Sequence, residues 1–327
     1  MTFFLDRRGA LAFVAALTAS LSLFSGVASA QTAAKPAEVR IGFQKYGTLT
    51  VLKAKGDLEK RLSAQGIAVK WTEFPAGPQL LEGLNVGSID FGTVGEAPPI
   101  FAQAAGADLV YVANQPPAPT AEALIVPKDS PIKTLADLKG KKVVLNKGSN
   151  VHYLLVKLLE KQGLKYTDIN VVYLPPADAR AAFERGAVDA WVIWDPFLAA
   201  AERQLGARVV ADGKGVVANH QFYLAERGYA EKYPQVVQAI IEELAKLDRW
   251  SENNSAAVAA LLAPQIGLDL ATTEVAAARF AYGIQPITPA IAAEQQKIAD
   301  AFHALKLIPK PIRIADALPK SVRTAAR

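Results

Sequence analysis

The sequence predicts an α/β protein built as two lobes joined by two crossings of the chain. Three observations carry that prediction. The chain has 327 residues, long for one core and suited to two domains. Short apolar runs alternate with amphipathic stretches along most of its length. Two soft spots, QPPAPT at 115–120 and Gly213 to Gly215, stand far apart, as expected of a chain that leaves one domain, builds a second and returns. With 51% hydrophobic and 20% charged residues, the composition is that of a packed globular protein and excludes wholesale disorder.

At the N-terminus, Arg7 and Arg8 precede an apolar stretch from Gly9 to Phe24, and Ala28-Ser29-Ala30 forms an A-x-A site before Gln31. A membrane anchor needs about 20 apolar residues, whereas this stretch is shorter and diluted by Thr18, Ser20 and Ser22. The expectation is a signal peptide over 1–30, cleaved after Ala30, and a periplasmic product.

Strands follow at 38–43 (EVRIGF), 68–74, 108–114, 122–127, 142–146, 170–174, 189–194 and 207–212, with a shorter run from Ile89 to Gly92. Helix-period segments lie between them, from Leu49 to Leu62, Gln79 to Val86, Val151 to Gln162 and Ala179 to Gly186. Such alternation predicts largely parallel sheets. Pro234 opens a helix with Val237, Ile240, Ile241, Leu244 and Leu247 on one face. Thr288-Pro289, a cap followed by proline, opens another that carries Ile291, Ile298, Phe302 and Leu305. The last third therefore reads as a helical layer on the sheet domains. Proline resists helix, so QPPAPT is a stiff connector. Domain I is expected over 31–118 and 217–327 and domain II over 119–216, with a hinged cleft between them. One large sheet with loops is the competing layout.

Composition and motif gaps exclude much chemistry. There is no cysteine, and the single methionine is Met1. Disulfides, thiolate metal sites, cysteine nucleophiles and lipidated cysteine anchors are therefore ruled out. The net charge of +5 is spread without basic runs, so nucleic acid is not an expected partner. Gly140-Lys141-Lys142 lacks the hydroxyl and upstream glycine of a P-loop, and no G-x-G-x-x-G follows the first strand. His152, His220 and His303 form no i, i+4 pair, and no G-x-S-x-G elbow occurs. No metal and no cofactor are expected.

Four strand-to-helix turns hold the candidate chemistry: Gln44 to Thr50, Thr93 to Pro99, Lys147 to Tyr153 and Leu174 to Arg180. Free N–H groups at a helix start, with its positive dipole end, bind anions, and Ser or Thr hydroxyls add donors. One such turn alone is also an ordinary cap. The stretch DARAAFERGAVDAWVIWDP at 178–196 reads as a helix ending at Gly186, a buried strand Ala190 to Trp194, then Asp195 as N-cap with Pro196 at N1. Side chains alternate along a strand, so Trp191 and Trp194 point to opposite faces. Trp194 stands at the C-terminal end, where open α/β sheets bind ligands, and Trp191 suits core packing.

Read together, FPAGPQLLEGLNVGSIDFG at 74–92, PPIFAQAAGADLVYVAN at 98–114, SPIKTLADLKGKKV at 130–143 and PADARAAFERGAVDAWVIWDPF at 176–197 resemble the aliphatic-sulfonate-binding proteins. These are periplasmic receptors of sulfonate ABC transporters, relatives of the taurine and nitrate receptors. The resemblance implies a type II periplasmic-binding fold that closes on a small organic sulfonate and delivers it to a membrane permease as a monomer, without chemistry on the ligand. Carried over by motif, the ligand-binding candidates are Gln44, Gly47 and Thr48, then Gly95 and Glu96, then Gly148, Ser149 and Asn150, and finally Arg180, Trp194 and Asp195. The first turn departs from a more glycine- and serine-rich form, and Tyr46 narrows the pocket there. A sulfonate offers three acceptor oxygens and no proton, so Thr48, Ser149, Arg180 and backbone N–H groups suit it. Glu96 suits the helix dipole or a cationic substituent. A carboxylate acceptor would instead suit a phosphonate; taurine, nitrate and phosphonate are the alternative ligands. Enzymes of the same fold include a desulfinase, whose thiol chemistry a chain without cysteine cannot perform.

Overall fold

The structure is a computed structural model and describes residues 35–319. The expected signal peptide and its cleavage site lie outside the described residues. The chain begins with β1 (Glu38–Phe43), α1 (Gly47–Lys55), α2 (Asp57–Ser63), β2 (Ala68–Glu73), α3 (Gly77–Asn85), β3 (Phe91–Gly95), α4 (Pro98–Ala104) and β4 (Leu109–Asn114). It crosses over at 115–121 and continues through β5 (Glu122–Val126), β6 (Lys142–Leu145), α5 (Asn150–Gln162), β7 (Asn170–Tyr173), α6 (Pro176–Glu184), β8 (Ala190–Trp194), α7 (Phe197–Leu205) and β9 (Arg208–Asp212). A second crossing at 213–220 returns it to β10 (Gln221–Glu226), α8 (Arg227–Lys232), α9 (Pro234–Ser251), α10 (Ser255–Ile266), α11 (Leu270–Ala278), β11 (Gln285–Pro286) and α12 (Pro289–Ala304).

Two sheets result, one in each lobe. The first, in lobe I, is ordered β11-β4-β10-β3-β1-β2; the second, in lobe II, β7-β6-β8-β5-β9. The expectation of largely parallel sheets is corrected. β1 runs parallel to β2 and β3, and β6 to β7 and β8, but β10 is antiparallel to β3 and β4, and β5 to β8 and β9. The physical reason lies in the crossings. β5 and β10 enter their sheets straight from the other lobe, without the crossover helix that a parallel neighbour needs. The crossings themselves run side by side, with Gln115 N donating to Gln221 O at 2.8 Å and Ala118 N to Ala218 O at 3.0 Å.

Local chemistry explains most element ends. The helix expected over Leu49 to Leu62 is broken at Gly56, whose φ of 68° ends α1 and whose N–H closes on Leu52 O. Thr288 caps α12, its hydroxyl accepting from Ile291 N at 3.3 Å. Lobe I packs two cores, one on each face of its sheet. On one side Val237, Ile240, Leu244 and Leu247 of α9 meet Ile41, Phe91 and Tyr223. On the other, Ile298 and Phe302 of α12 meet Ile100, Tyr111 and Phe222, while Leu305 stays exposed against expectation. Lobe II has a single cluster around Trp191, Leu154, Leu155 and Val144.

Candidate functional site

The cleft lies beyond the C-terminal ends of β1, β3 and β8, where α1, α3, α4 and α5 begin. It is narrow, a cavity of about 40 Å³. Gln44, Gly47, Thr48, Gly95, Ser149, Asn150, Trp194 and Asp195 all line it, which brings together eight of the expected residues. Among the described residues no Lys, Arg or His does so.

The turn after β1 is the most elaborated part. Gly47, with φ 74°, starts α1, and no side chain caps that helix. The Tyr46 hydroxyl donates to Gln221 Oε1 at 2.6 Å, which leaves the amide's NH₂ as the other end of Gln221. Gln44 Nε2 donates to Thr93 O at 3.2 Å. Thr48 is in the wall, but its hydroxyl is already committed. It donates to Asp248 Oδ1 at 3.0 Å and accepts from Gln115 Nε2 at 2.7 Å. Asp248, fully buried on α9 and pushed upward in pKa by that burial, also accepts from Gly283 N at 3.0 Å. Thr48 therefore orients the turn, and the backbone N–H groups of α1 are the donors left for a ligand.

Gly95 is where the lobes meet. A Cβ there would stand 2.9 Å from the Asn150 Cβ. Asn150, first residue of α5, gives its Nδ2 hydrogens to Glu122 Oε2 at 2.5 Å and to Asn219 Oδ1 at 3.1 Å. Asn219 in turn donates to Ala118 O at 2.8 Å, tying one crossing to the other. Glu96 faces away from the cleft, against the expectation that placed it there. Its Oε2 accepts from His220 N at 3.1 Å, and Gln295 Nε2 donates to its carbonyl oxygen. The strand ends at Gly95, and with alternating side chains the next residue turns to the opposite face. Burial pushes the Glu96 carboxyl up to about 7 and the Glu122 carboxyl well above the usual range.

The third turn also needs correcting at one position. Gly148 does not line the cleft. Its N–H donates to His152 Nδ1 at 3.2 Å, and its Cα faces the Phe101 ring. Because Nδ1 accepts, Nε2 carries the hydrogen and donates to the Tyr166 hydroxyl at 2.8 Å. Burial lowers the His152 pKa to about 3 and keeps the ring neutral. Ser149 remains in the wall with its hydroxyl donated to Asn146 O at 2.7 Å.

From lobe II, Trp194 lines the cavity, and its ring packs edge-on against Phe197 at 6.2 Å. Trp191 is fully buried against Phe183 in the core, as its place on the inner face of the strand suggests. Asp195 stands one position further out than expected, because Pro196 takes the N-cap place of α7. It still accepts from Ala199 N at 3.0 Å, and burial pushes its carboxyl up to about 7. Arg180 does not reach the cleft. On α6 it donates to Glu184 Oε1 at 2.6 Å and Gln204 Oε1 at 3.0 Å.

Sequence reasoning missed Gln115, Asn219, Gln221, Phe280 and Arg279. Gln115 and Asn219 sit in the crossings; from sequence Gln115 reads as connector and Asn219 as part of the strand-like run VVANHQFYL, whereas the strand begins only at Gln221. Phe280 follows α11 and faces Tyr46 across the cavity, ring centroids 6.4 Å apart. Arg279 spans to Asp195 Oδ2 at 3.4 Å and to Glu202 Oε2 at 2.7 Å. An aromatic preceded by a cation at the end of a helix was the available signal, a weak one.

Two α/β lobes, a double crossing and a closed cleft walled by helix starts define a two-lobed solute-binding protein. A family model described as NMT1/THI5 like matches residues 62–246. The chain is 47% identical over 302 residues, 91% of this chain and 93% of the relative, to a protein of Escherichia coli (strain K12) named for binding aliphatic sulfonates. The solved structure of the alkanesulfonate-binding protein SsuA from Xanthomonas axonopodis pv. citri bound to MOPS is similar at TM-score 0.84 and 45% identity, over 88% of this chain and 99% of that one. The periplasmic aliphatic sulphonate binding protein SsuA from Escherichia coli is similar at TM-score 0.79 and 46% identity, over 88% and 93%. The chain belongs to the NMT1/THI5-like family and groups there with the aliphatic-sulfonate-binding proteins.

Proposed function

We propose that this protein is a periplasmic receptor that binds alkane sulfonates in the interlobe cleft and delivers them to the permease of an ABC transporter, without turnover. One observation carries the reading. The starts of α1, α3 and α5 converge on a cavity that among the described residues has no basic side chain, and there no side chain caps any of the three. An anion held there is held by backbone N–H groups, helix dipoles and neutral amides. That donor set fits a permanently ionised, acceptor-only headgroup, while Tyr46, Trp194 and Phe280 offer apolar surface to an organic tail. The named ligands of the relatives support the same reading. In this account lobe I spans 31–118 and 217–327, lobe II spans 119–216, the signal peptide is cleaved after Ala30, and the receptor works as a monomer with no nucleic-acid partner. Isothermal titration against ethanesulfonate, hexanesulfonate, taurine, sulfate, nitrate and methylphosphonate tests it. Saturable one-to-one binding of the alkane sulfonates, with weaker heats for the inorganic anions, is the expected result.

A further inference from the structure

A ligand's differential affinity favours the closed form of a two-lobed cleft, and direct contacts between the lobes add to it. Among the ion pairs of the described residues, those of Arg279 alone join one lobe to the other. Arg279 ends α11, and Ala277, two residues before it, is buried in the lobe I core. Its guanidinium reaches α7 and the residue after β8 in lobe II, with Nη2 on Glu202 Oε2 at 2.7 Å and Nη1 between both Asp195 oxygens at 3.4 and 3.5 Å. The three side chains are graded in exposure. Asp195 is wholly buried, and Arg279 and Glu202 are about a quarter exposed. Phe280 and Ala281, the next two residues, line the cavity, whereas Arg279 does not.

We infer that Arg279 is an interlobe latch, a positioning residue that raises sulfonate affinity by populating the closed cleft without touching the sulfonate. One guanidinium fork faces two carboxylates, a geometry that lysine's point charge reproduces only in part. Without Arg279, Asp195 just before α7 and Glu202 on it are left near each other with no cation between them, and closure brings both into a drier place. The affinity of a ligand for a protein whose competent state is partly populated falls in proportion to that population, whatever the ligand. The latch rests on the receptor reading for its ligand readout but not for its conformational one.

The experiment uses purified protein and two sulfonates of different tail, ethanesulfonate and hexanesulfonate. Arg279→Ala raises both dissociation constants by the same factor, about tenfold on the scale of one charge-assisted hydrogen bond, chiefly through faster dissociation. Arg279→Lys recovers part of the loss. Glu202→Gln weakens binding too, and its effect and that of Arg279→Ala are less than additive. Higher salt weakens the wild type more than Arg279→Ala. Small-angle scattering of the ligand-free protein at low salt shows a larger radius of gyration for Arg279→Ala than for wild type. Unchanged constants with unchanged scattering overturn the latch. So does a loss that differs between the two sulfonates with scattering unchanged, because it makes Arg279 a ligand contact. If wild type binds neither sulfonate, the receptor reading falls, and the scattering comparison still decides the latch.

Discussion

Arg180 and Gly95 show how differently single residues bear on binding. Arg180 was the natural charged partner for a sulfonate by sequence, yet its guanidinium is paired with Glu184 and Gln204 on the outer side of α6. Exposed pairs of this kind contribute little to stability, about 0–1 kcal/mol. Arg180→Ala is therefore expected to leave sulfonate affinity and melting temperature nearly unchanged, as titration calorimetry and a thermal scan would read. A clear loss of affinity would return Arg180 to the cleft. Gly95 carries no functional group and matters more. A methyl there meets Asn150 at 2.9 Å, across the lobe boundary, so the open form accommodates it and the closed form does not. Gly95→Ala should weaken binding by about 1–3 kcal/mol, the cost of overpacking, with ligand-free stability almost intact. Equal affinity in the variant would mean the lobes do not close this far.

At the scale of elements, two buried carboxylates pack beside the crossings, and among the described residues no ion pair neutralises either. Glu96 follows β3 and Glu122 opens β5, and each keeps one oxygen without a hydrogen-bond partner. Burial raises Glu96 to about 7 and Glu122 well above the ordinary range, so the fold favours their neutral forms. A raised folded-state pKa gives stability that is complete below the ordinary carboxyl value and is lost as pH rises through the folded value. His152, lowered to about 3, opposes this only below its ordinary value of 6.5. Stability is therefore expected to fall from about pH 4.5 to about 7, most steeply above 6.5. Glu122→Gln keeps an acceptor for Asn150 and takes no charge, so its thermal melting profile should fall less steeply over that window. Parallel profiles for the two proteins would contradict the assignment.

Much at this scale was legible in the sequence. Among the strands from β1 to β9, all but β3 begin and end within one residue of their apolar runs, because half-buried and buried strands need such runs whatever surrounds them; β3 runs three residues past Gly92. The break at Gly56 and the short β11 were not legible. The first depends on one residue's positive φ inside an otherwise periodic stretch, and the second on a neighbour, β4, far away in the chain. The site followed the same division. Eight of the expected residues line the cleft because strand-to-helix turns are marked locally by glycine, hydroxyl and amide residues. Glu122, Asn219, Gln221 and Arg279 act through partners dozens of residues distant, and no local pattern announces such pairings.

As a whole molecule, on the proposed reading, the protein holds its anion by arrangement of backbone and not by opposite charge. Among the described residues the only carboxylate in the cavity wall is Asp195, held by Ala199 N and Arg279, and no cation lines it. Selectivity then follows from hydrogen-bond geometry and tail packing, since a preformed cage of N–H donors discriminates by shape and by protons that a ligand cannot place. Titration calorimetry of the purified protein with an alkane sulfonate tests this most directly. The account predicts saturable one-to-one binding that exceeds sulfate and methylphosphonate and leaves the sulfonate chemically intact. Absence of heat with every sulfonate, or release of sulfite on long incubation, would contradict it.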